Sequence, residues 1–205
     1  MTLALIDYGA GNLRSVENAL KAAGAADVIV TADPEDVRRA DRIVLPGVGA
    51  FAACMRGLSA IPRMVDALDH VVLHEGRPFL GICVGMQLMA DRGEEYGLHE
   101  GLGWIPGTVR ALAPADPAAR VPHMGWNDVV PSAGGHPLIA PGEAYFLHGF
   151  AFDCPNATDR IAVTDHGGPV TAAVARGNMI GVQFHPEKSQ RYGLDFLARF
   201  LEWRP

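Results

Sequence analysis

Pro78-Phe79-Leu80-Gly81-Ile82-Cys83-Val84-Gly85-Met86-Gln87 decides the reading of this chain. Its first half is an apolar run of strand length, its second half opens a helix, and Cys83 stands at the junction in the pattern G-x-C-x-G. The serine version of that pattern is a nucleophile elbow. A turn this tight strains the nucleophile's backbone and leaves no room for side chains beside it, which accounts for Gly81 and Gly85. The sulfur then stands above the C-terminal edge of a sheet, the positive end of the following helix favours thiolate, and the Val84 N–H points at a developing oxyanion. A free cysteine is more commonly a buried structural residue. The flanking glycines and the strand–turn–helix setting point to chemistry instead.

Outward from the elbow, the first half of the chain alternates apolar runs with helical patterns. Leu3–Ile6 ends in the turn Asp7-Tyr8-Gly9-Ala10-Gly11, and Asn12 caps a helix carrying Leu13, Val16, Leu20 and Ala23 at helical spacing. Val28–Val30 and Arg42–Leu45 read as strands, Asp33-Pro34-Glu35 as a helix start, and residues 50–75 as a helical stretch. The second half reads as short β-like runs at Gly107–Leu112, Ala144–Leu147, Ile161–Thr164, Val170–Ala175 and Met179–Gln183. Arg176-Gly177-Asn178 is a hairpin signal, and Leu194, Leu197, Phe200 and Leu201 mark a last amphipathic helix. The expected fold is α/β: a three-layer, mostly parallel sheet with helices on both faces and antiparallel additions in the C-terminal half, in a single domain over 1–205.

Composition narrows the function. With 49% apolar and 20% charged residues in 205, the chain can bury a full core. A net charge of −6 argues against a nucleic-acid partner held by bulk electrostatics. No apolar run approaches the ~18 residues of a membrane span. The start, Met1-Thr2-Leu3-Ala4-Leu5-Ile6-Asp7, lacks the basic segment of a signal peptide. The odd count of Cys54, Cys83 and Cys154 fits a reducing compartment, so a cytoplasmic protein is expected.

A thiol nucleophile needs a base and a group to orient it. Val182-Gln183-Phe184-His185-Pro186-Glu187-Lys188-Ser189 offers both: a strand ending at His185 and, two residues on, Glu187 to hold the imidazole tautomer. Among the other histidines, His70 and His74 share a helix face without a third metal ligand nearby, and His99, His136 and His166 lie in polar turns open to solvent. His123 and His148 stand in aromatic surroundings and are harder to dismiss. Gly47-Val48-Gly49-Ala50-Phe51-Ala52 fits the outline of a dinucleotide loop, G-x-G-x-x-A. It follows the third strand rather than the first, and Asp66 and Asp69 fall in a helical stretch, not at a strand end. Donation of a second backbone N–H to an oxyanion is the better use of that loop.

Taken together, these residues resemble class I (triad) glutamine amidotransferases. The resemblance covers the whole chain and rests on G-x-C-x-G-x-Q at Gly81–Gln87, His185-Pro186-Glu187, Asp7-Tyr8-Gly9-Ala10-Gly11-Asn12-Leu13, Leu45–Phe51, Pro122-His123-Met124-Gly125-Trp126-Asn127 and Tyr145-Phe146-Leu147-His148. It implies that Cys83 attacks the side-chain amide of glutamine, that His185 moves the proton, and that Glu187 orients it. It further implies an oxyanion hole from Gly47, Val48, Gly49 and Val84, and contacts from Gln87 and Glu95 to the amino-acid end of the substrate. No cofactor and no metal are implied. The implied partner is a (β/α)8-barrel cyclase/synthase subunit in a heterodimer, met by Trp126, Tyr145 and Lys188. The Gly125-Trp126-Asn127 segment and Lys188 separate this chain from the glutaminase that feeds vitamin B6 synthesis. The intact Cys83, His185 and Glu187 separate it from a non-catalytic binding module, and Gln87 from a cysteine peptidase. One departure stands out: after His148 the resemblance predicts a hydroxyl residue, where this chain has Gly149.

Overall fold

The computed structural model describes residues 1–205. The first half runs β1 (Thr2–Ile6), α1 (Leu13–Ala22), β2 (Asp27–Thr31), α2 (Pro34–Arg39), β3 (Arg42–Gly47), α3 (Phe51–Ala60), α4 (Met64–Asp69), a π-helical turn at His70–His74, β4 (Phe79–Cys83) and α5 (Val84–Gln87). The second half adds β5 (Ala90–Gly93), β6 (His99–Glu100), β7 (Ile105–Ala111), β8 (His123–Pro131), β9 (Gly142–His148), β10 (Phe150–Asp153), β11 (Arg160–Asp165), β12 (Pro169–Arg176) and β13 (Met179–Val182). A 3₁₀ turn at Pro186–Lys188 and α6 (Gln190–Glu202) complete the chain.

Nine strands form one sheet in the order β2-β1-β3-β4-β13-β12-β11-β8-β9. Pairing is parallel from β2 through β13 and antiparallel from there to β9, so the sheet is mixed in equal halves. The strands β3, β4 and β13 are buried along their whole length, as parallel strands covered on both faces must be. The chain steps from β1 to β2 in one direction and from β2 to β3 in the other; with right-handed crossovers this sends α1 and α2 to opposite faces. Accordingly α1 packs with α6, while α2 and α3 pack with α4, giving two helical layers. A smaller sheet, β10-β7-β5-β6, shares the same core, to which it contributes Ile105, Val109 and Phe152.

Local structure departs from the sequence reading in four places. The helical stretch at 50–75 is two helices and a π-helical turn, broken where Pro62 precedes Arg63 at φ 62°. Asn12 stands at the N-cap position of α1, but its side chain makes no capping bond. The helix after Cys83 is a single turn, so the macrodipole expected to favour thiolate there is small. The final helix buries Phe196, Leu197, Phe200 and Leu201, while Leu194 is only half-buried.

Candidate active site

Three neighbouring parallel strands, β3, β4 and β13, end at the same edge of the sheet, and the cleft forms there. Cys83 closes β4 at φ 53° and ψ −112°, a left-handed conformation that a residue with a Cβ adopts only under strain. The glycines around it are sterically required. A Cβ on Gly85 would run into the Leu45 carbonyl oxygen, and one on Gly47 would lie 2.6 Å from the Gly85 nitrogen. Gly47 is the direct register partner of Cys83, which brings the Gly47-Val48-Gly49 loop against the elbow. Tyr8 Oη donates to the Pro46 carbonyl at 2.6 Å, and the Cys54 thiol donates to the Val48 carbonyl at 3.4 Å, so both sides of this loop are tied to the body of the protein. Cys54 therefore touches the loop; Cys154 bonds to the Asn156 carbonyl at 3.5 Å, in a separate turn.

His185 follows β13 by three residues. Its Nδ1 lies 2.8 Å from Glu187 Oε1, and both side chains are almost wholly buried, at 4% and 2% exposure. Ser189 locks the intervening turn: its hydroxyl donates to the His185 carbonyl at 2.6 Å and accepts the Tyr145 N–H at 2.9 Å. Burial opposes a charge on His185, yet hydrogen bonding to Cys83 and to Glu187, with the charge of each, outweighs it and pushes its pKa up to about 9. The second carboxylate oxygen of Glu187 is buried without a hydrogen-bond partner, which leaves the imidazolium as the favourable neighbour for its charge. The arrangement is that of a thiol nucleophile with an oriented base.

The cleft is small, about 180 Å³, and open on one side to solvent. Its lining includes Cys83, His185, Val48, Gly49, Val84, Gln87, Glu95 and Lys188, so the structure brings together nearly the whole expected site; Gly47 lies just behind, buried. Gln87 is committed on its nitrogen, which donates to the Phe150 carbonyl and to Gln183 Oε1, each at 3.0 Å. Glu95 Oε2 accepts the Phe51 N–H at 2.7 Å and so satisfies a free donor at the start of α3. Gly149 lines the cleft too, and a Cβ there would meet only Val121 Cγ1, at 3.9 Å. Trp126 and Tyr145 are register partners with rings 6.1 Å apart, and the Lys188 ammonium lies 5.7 Å from the centre of the Tyr145 ring. These three residues form one patch beside the cleft, continued by exposed Met124 and Leu147.

Sequence reasoning missed Gln183 and Ser189. Gln183 Nε2 approaches Cys83 Sγ at 3.6 Å. Its position two before His185 on an extended segment was a usable signal, because alternate residues share a face. His166, expected in solvent, stacks on His123 at 4.1 Å, and His136 packs edge-on to Trp203. His70 bonds to Glu75 at 3.0 Å, and no group of three or more His, Cys, Asp or Glu side chains is arranged to hold a metal.

A buried, oriented thiol–imidazole–carboxylate set at the parallel edge of an α/β sheet matches the class that comparison reveals: the chain belongs to the glutamine amidotransferase class-I family, whose profile matches residues 4–202. Within that family its curated relatives include imidazole glycerol phosphate synthase subunits HisH. The chain is 64% identical over 206 residues to HisH of Zymomonas mobilis, covering 100% of this chain and 97% of that one. It is 56% identical over 214 residues to HisH of Rhodospirillum rubrum, covering both in full. Among solved structures, one described as a glutamine amidotransferase superposes with a TM-score of 0.75 at 18% identity, covering 98% of each chain. The structure of PurLQS from Thermotoga maritima superposes at 0.70, also at 18% identity, covering 98% of this chain and 97% of that one. Identities this low speak for the fold.

Proposed function

We infer that this chain is the glutaminase subunit of an imidazole glycerol phosphate synthase, acting as one glutamine amidotransferase domain over 1–205. The observation that carries the reading is the strained, buried Cys83 beside His185 and Glu187 in one small cleft. The Cys83 thiolate attacks the side-chain amide carbon of glutamine, and the carbonyl π electrons move to oxygen. Backbone N–H groups of the Gly47-Val48-Gly49 loop and of Val84 receive that oxyanion. The imidazolium of His185 protonates the departing nitrogen, the C–N bond breaks, and ammonia leaves a glutamyl thioester on Cys83. Neutral His185 then takes a proton from water, the hydroxide cleaves the thioester, and glutamate leaves as the thiolate–imidazolium pair is restored. Gln87 and Glu95 hold the amino-acid end of the substrate.

The ammonia goes to a (β/α)8-barrel cyclase subunit in a cytoplasmic heterodimer. There it is used to form imidazole glycerol phosphate and release aminoimidazole carboxamide ribotide in histidine biosynthesis. Trp126, Tyr145 and Lys188 supply the contact, and the Gly47-Val48-Gly49 loop is the gate that partner and nucleotide set. A peptide beside glycine rotates at low steric cost, and one oxyanion donor is worth ~10²–10³ in rate. The test is glutamine hydrolysis by the chain alone and with a barrel synthase and its nucleotide ligand. Slow turnover alone and strong stimulation in the complex are expected; equal rates would remove the gate. Glutamine-dependent synthesis by a Cys83→Ala complex would overturn the reading.

A further inference from the structure

Two buried histidines stand outside the thiol–imidazole–carboxylate set: His148 lines the cleft wall, and His123 lies behind it. His123 on β8 and His148 on β9 are cross-strand partners, with His123 Nδ1 3.1 Å from His148 Nε2. Their outer partners leave one assignment of the protons. His148 Nδ1 faces the Phe150 carbonyl at 2.8 Å, a pure acceptor, so that nitrogen carries hydrogen. In the neutral ring its Nε2 then accepts, and His123 Nδ1 must donate to it. His123 Nε2 is left as an acceptor, which the Asn127 amide nitrogen satisfies at 3.0 Å while also donating to the Asp165 carbonyl at 2.8 Å. Between Asn127 and Phe150 every bond therefore runs in one direction.

A second set of bonds reaches the same carbonyl from the other wall. Gln87 Nε2 donates to Phe150 O and to Gln183 Oε1, and Gln183 Nε2 turns toward Cys83 Sγ. The Phe150 oxygen thus accepts two hydrogen bonds, one from the histidine pair and one from the cleft. With both amide hydrogens committed, Gln87 keeps only its Oε1 for the cleft, and a lone acceptor there suits a ligand N–H group.

We propose that His123 and His148 are positioning residues for the cleft: as a neutral imidazole pair they fix the Phe150 carbonyl, and through it the orientation in which Gln87 offers an acceptor to the ammonium end of an amino-acid substrate. The proposal rests on the glutaminase reading for the identity of that substrate. Burial supports it, because desolvation pushes both rings down to about 4 and so keeps them neutral at neutral pH. The stacked His166 and nearby His185 act in the same direction, since a charge on either disfavours a further charge on the pair.

Ring ¹⁵N spectra of the full-length protein at neutral pH test the proton assignment without turnover, and so separate failure of this proposal from failure of the glutaminase reading. Both rings are expected as neutral Nδ1–H forms; an Nε2–H tautomer or an imidazolium at His148 overturns the proposal. Kinetics in the complex test its consequence. His148→Phe keeps the ring shape and removes both nitrogens; it should raise KM for glutamine about tenfold with a smaller change in kcat, the size of one lost buried hydrogen bond. His148→Asn returns a donor at the Nδ1 position and should bring KM back toward the wild-type value. A wild-type KM in His148→Phe, or an Asn variant no better than the Phe variant, overturns the proposal.

Discussion

Cys83 is held at φ 53° although it is not glycine, and the strain has two measurable consequences. Alanine at this position carries the same Cβ and the same backbone penalty, so Cys83→Ala should fold and bind its partner as wild type does while losing glutamine hydrolysis. Synthesis from added ammonia should persist. Glycine relieves the penalty, so Cys83→Gly should be inactive yet more stable than Cys83→Ala by about 1 kcal/mol in urea unfolding. Equal stability of the two variants would mean that the elbow stores no strain. At His185 and Glu187 the expected losses are unequal. His185→Asn removes the proton carrier and should cost on the order of 10²–10⁴ in kcat. Glu187→Gln keeps a hydrogen-bond acceptor near Nδ1 at 2.8 Å and should cost less, with its pH–rate profile displaced to lower pH because a charge that raises His185 has gone. A Glu187→Gln enzyme slower than His185→Asn would reverse these roles.

The elbow works as an element because three strand ends and one helical turn are fitted together without side chains between them. Gly85→Ala forces a Cβ into the Leu45 carbonyl, a backbone atom that cannot swing aside, so a loss of at least ~3 kcal/mol is expected in a denaturant melt together with loss of activity. Gly149→Ser, by contrast, meets only Val121 Cγ1 at 3.9 Å and has no left-handed φ to maintain; stability should hold or rise by about 0.5 kcal/mol. These contrasts show what was legible in the sequence. The glycines of G-x-C-x-G and the run Leu45-Pro46-Gly47 announce a close approach of backbones, and the structure has one there. The continuous apolar runs located β1, β3 and β4 because buried parallel strands leave no other pattern, whereas β13, read among the antiparallel additions, pairs parallel with β4. The strand β8 was not legible: His123, Gly125 and Asn127 alternate along its first half with little β propensity, and the strand is fixed by its pairing with β9, a long-range fact. The same pairing makes His123 and His148 neighbours across 25 residues, which no local spacing could announce.

At the scale of the whole molecule, the cleft opens at the edge of the sheet where β8 and β9 present an exposed apolar face. Trp126 is 47% exposed and Met124 66%, on the side of the hairpin away from the buried histidines. If that face seats the barrel synthase, Trp126→Ala should weaken the complex by tenfold or more, the usual weight of a buried interface tryptophan, with hydrolysis by the isolated chain unchanged. Titration of the complex by calorimetry checks this; wild-type affinity in the variant would put the contact elsewhere. The buried histidines on the other side of the hairpin give the fold a pH dependence whose sign follows from their shifts. An unfolded histidine protonates near 6.5, whereas His123 and His148 do so only at about 4 when folded. Between those values the unfolded chain binds more protons than the folded one, so stability falls as pH falls through this window. His185 behaves oppositely, contributing stability that is fully present below 6.5 and lost as pH rises through about 9. Carboxylates begin to titrate below ~5, so the histidine pair is best read between neutral pH and about pH 5. A loss on the order of 2 kcal/mol is expected there for the wild type by urea unfolding. The double variant His123→Gln/His148→Asn keeps donors and acceptors but has no titrating ring at these positions, so its urea midpoint should move much less over the same interval. Equal shifts in the two proteins would show that these rings are already protonated, or already accessible to protons, in the folded state.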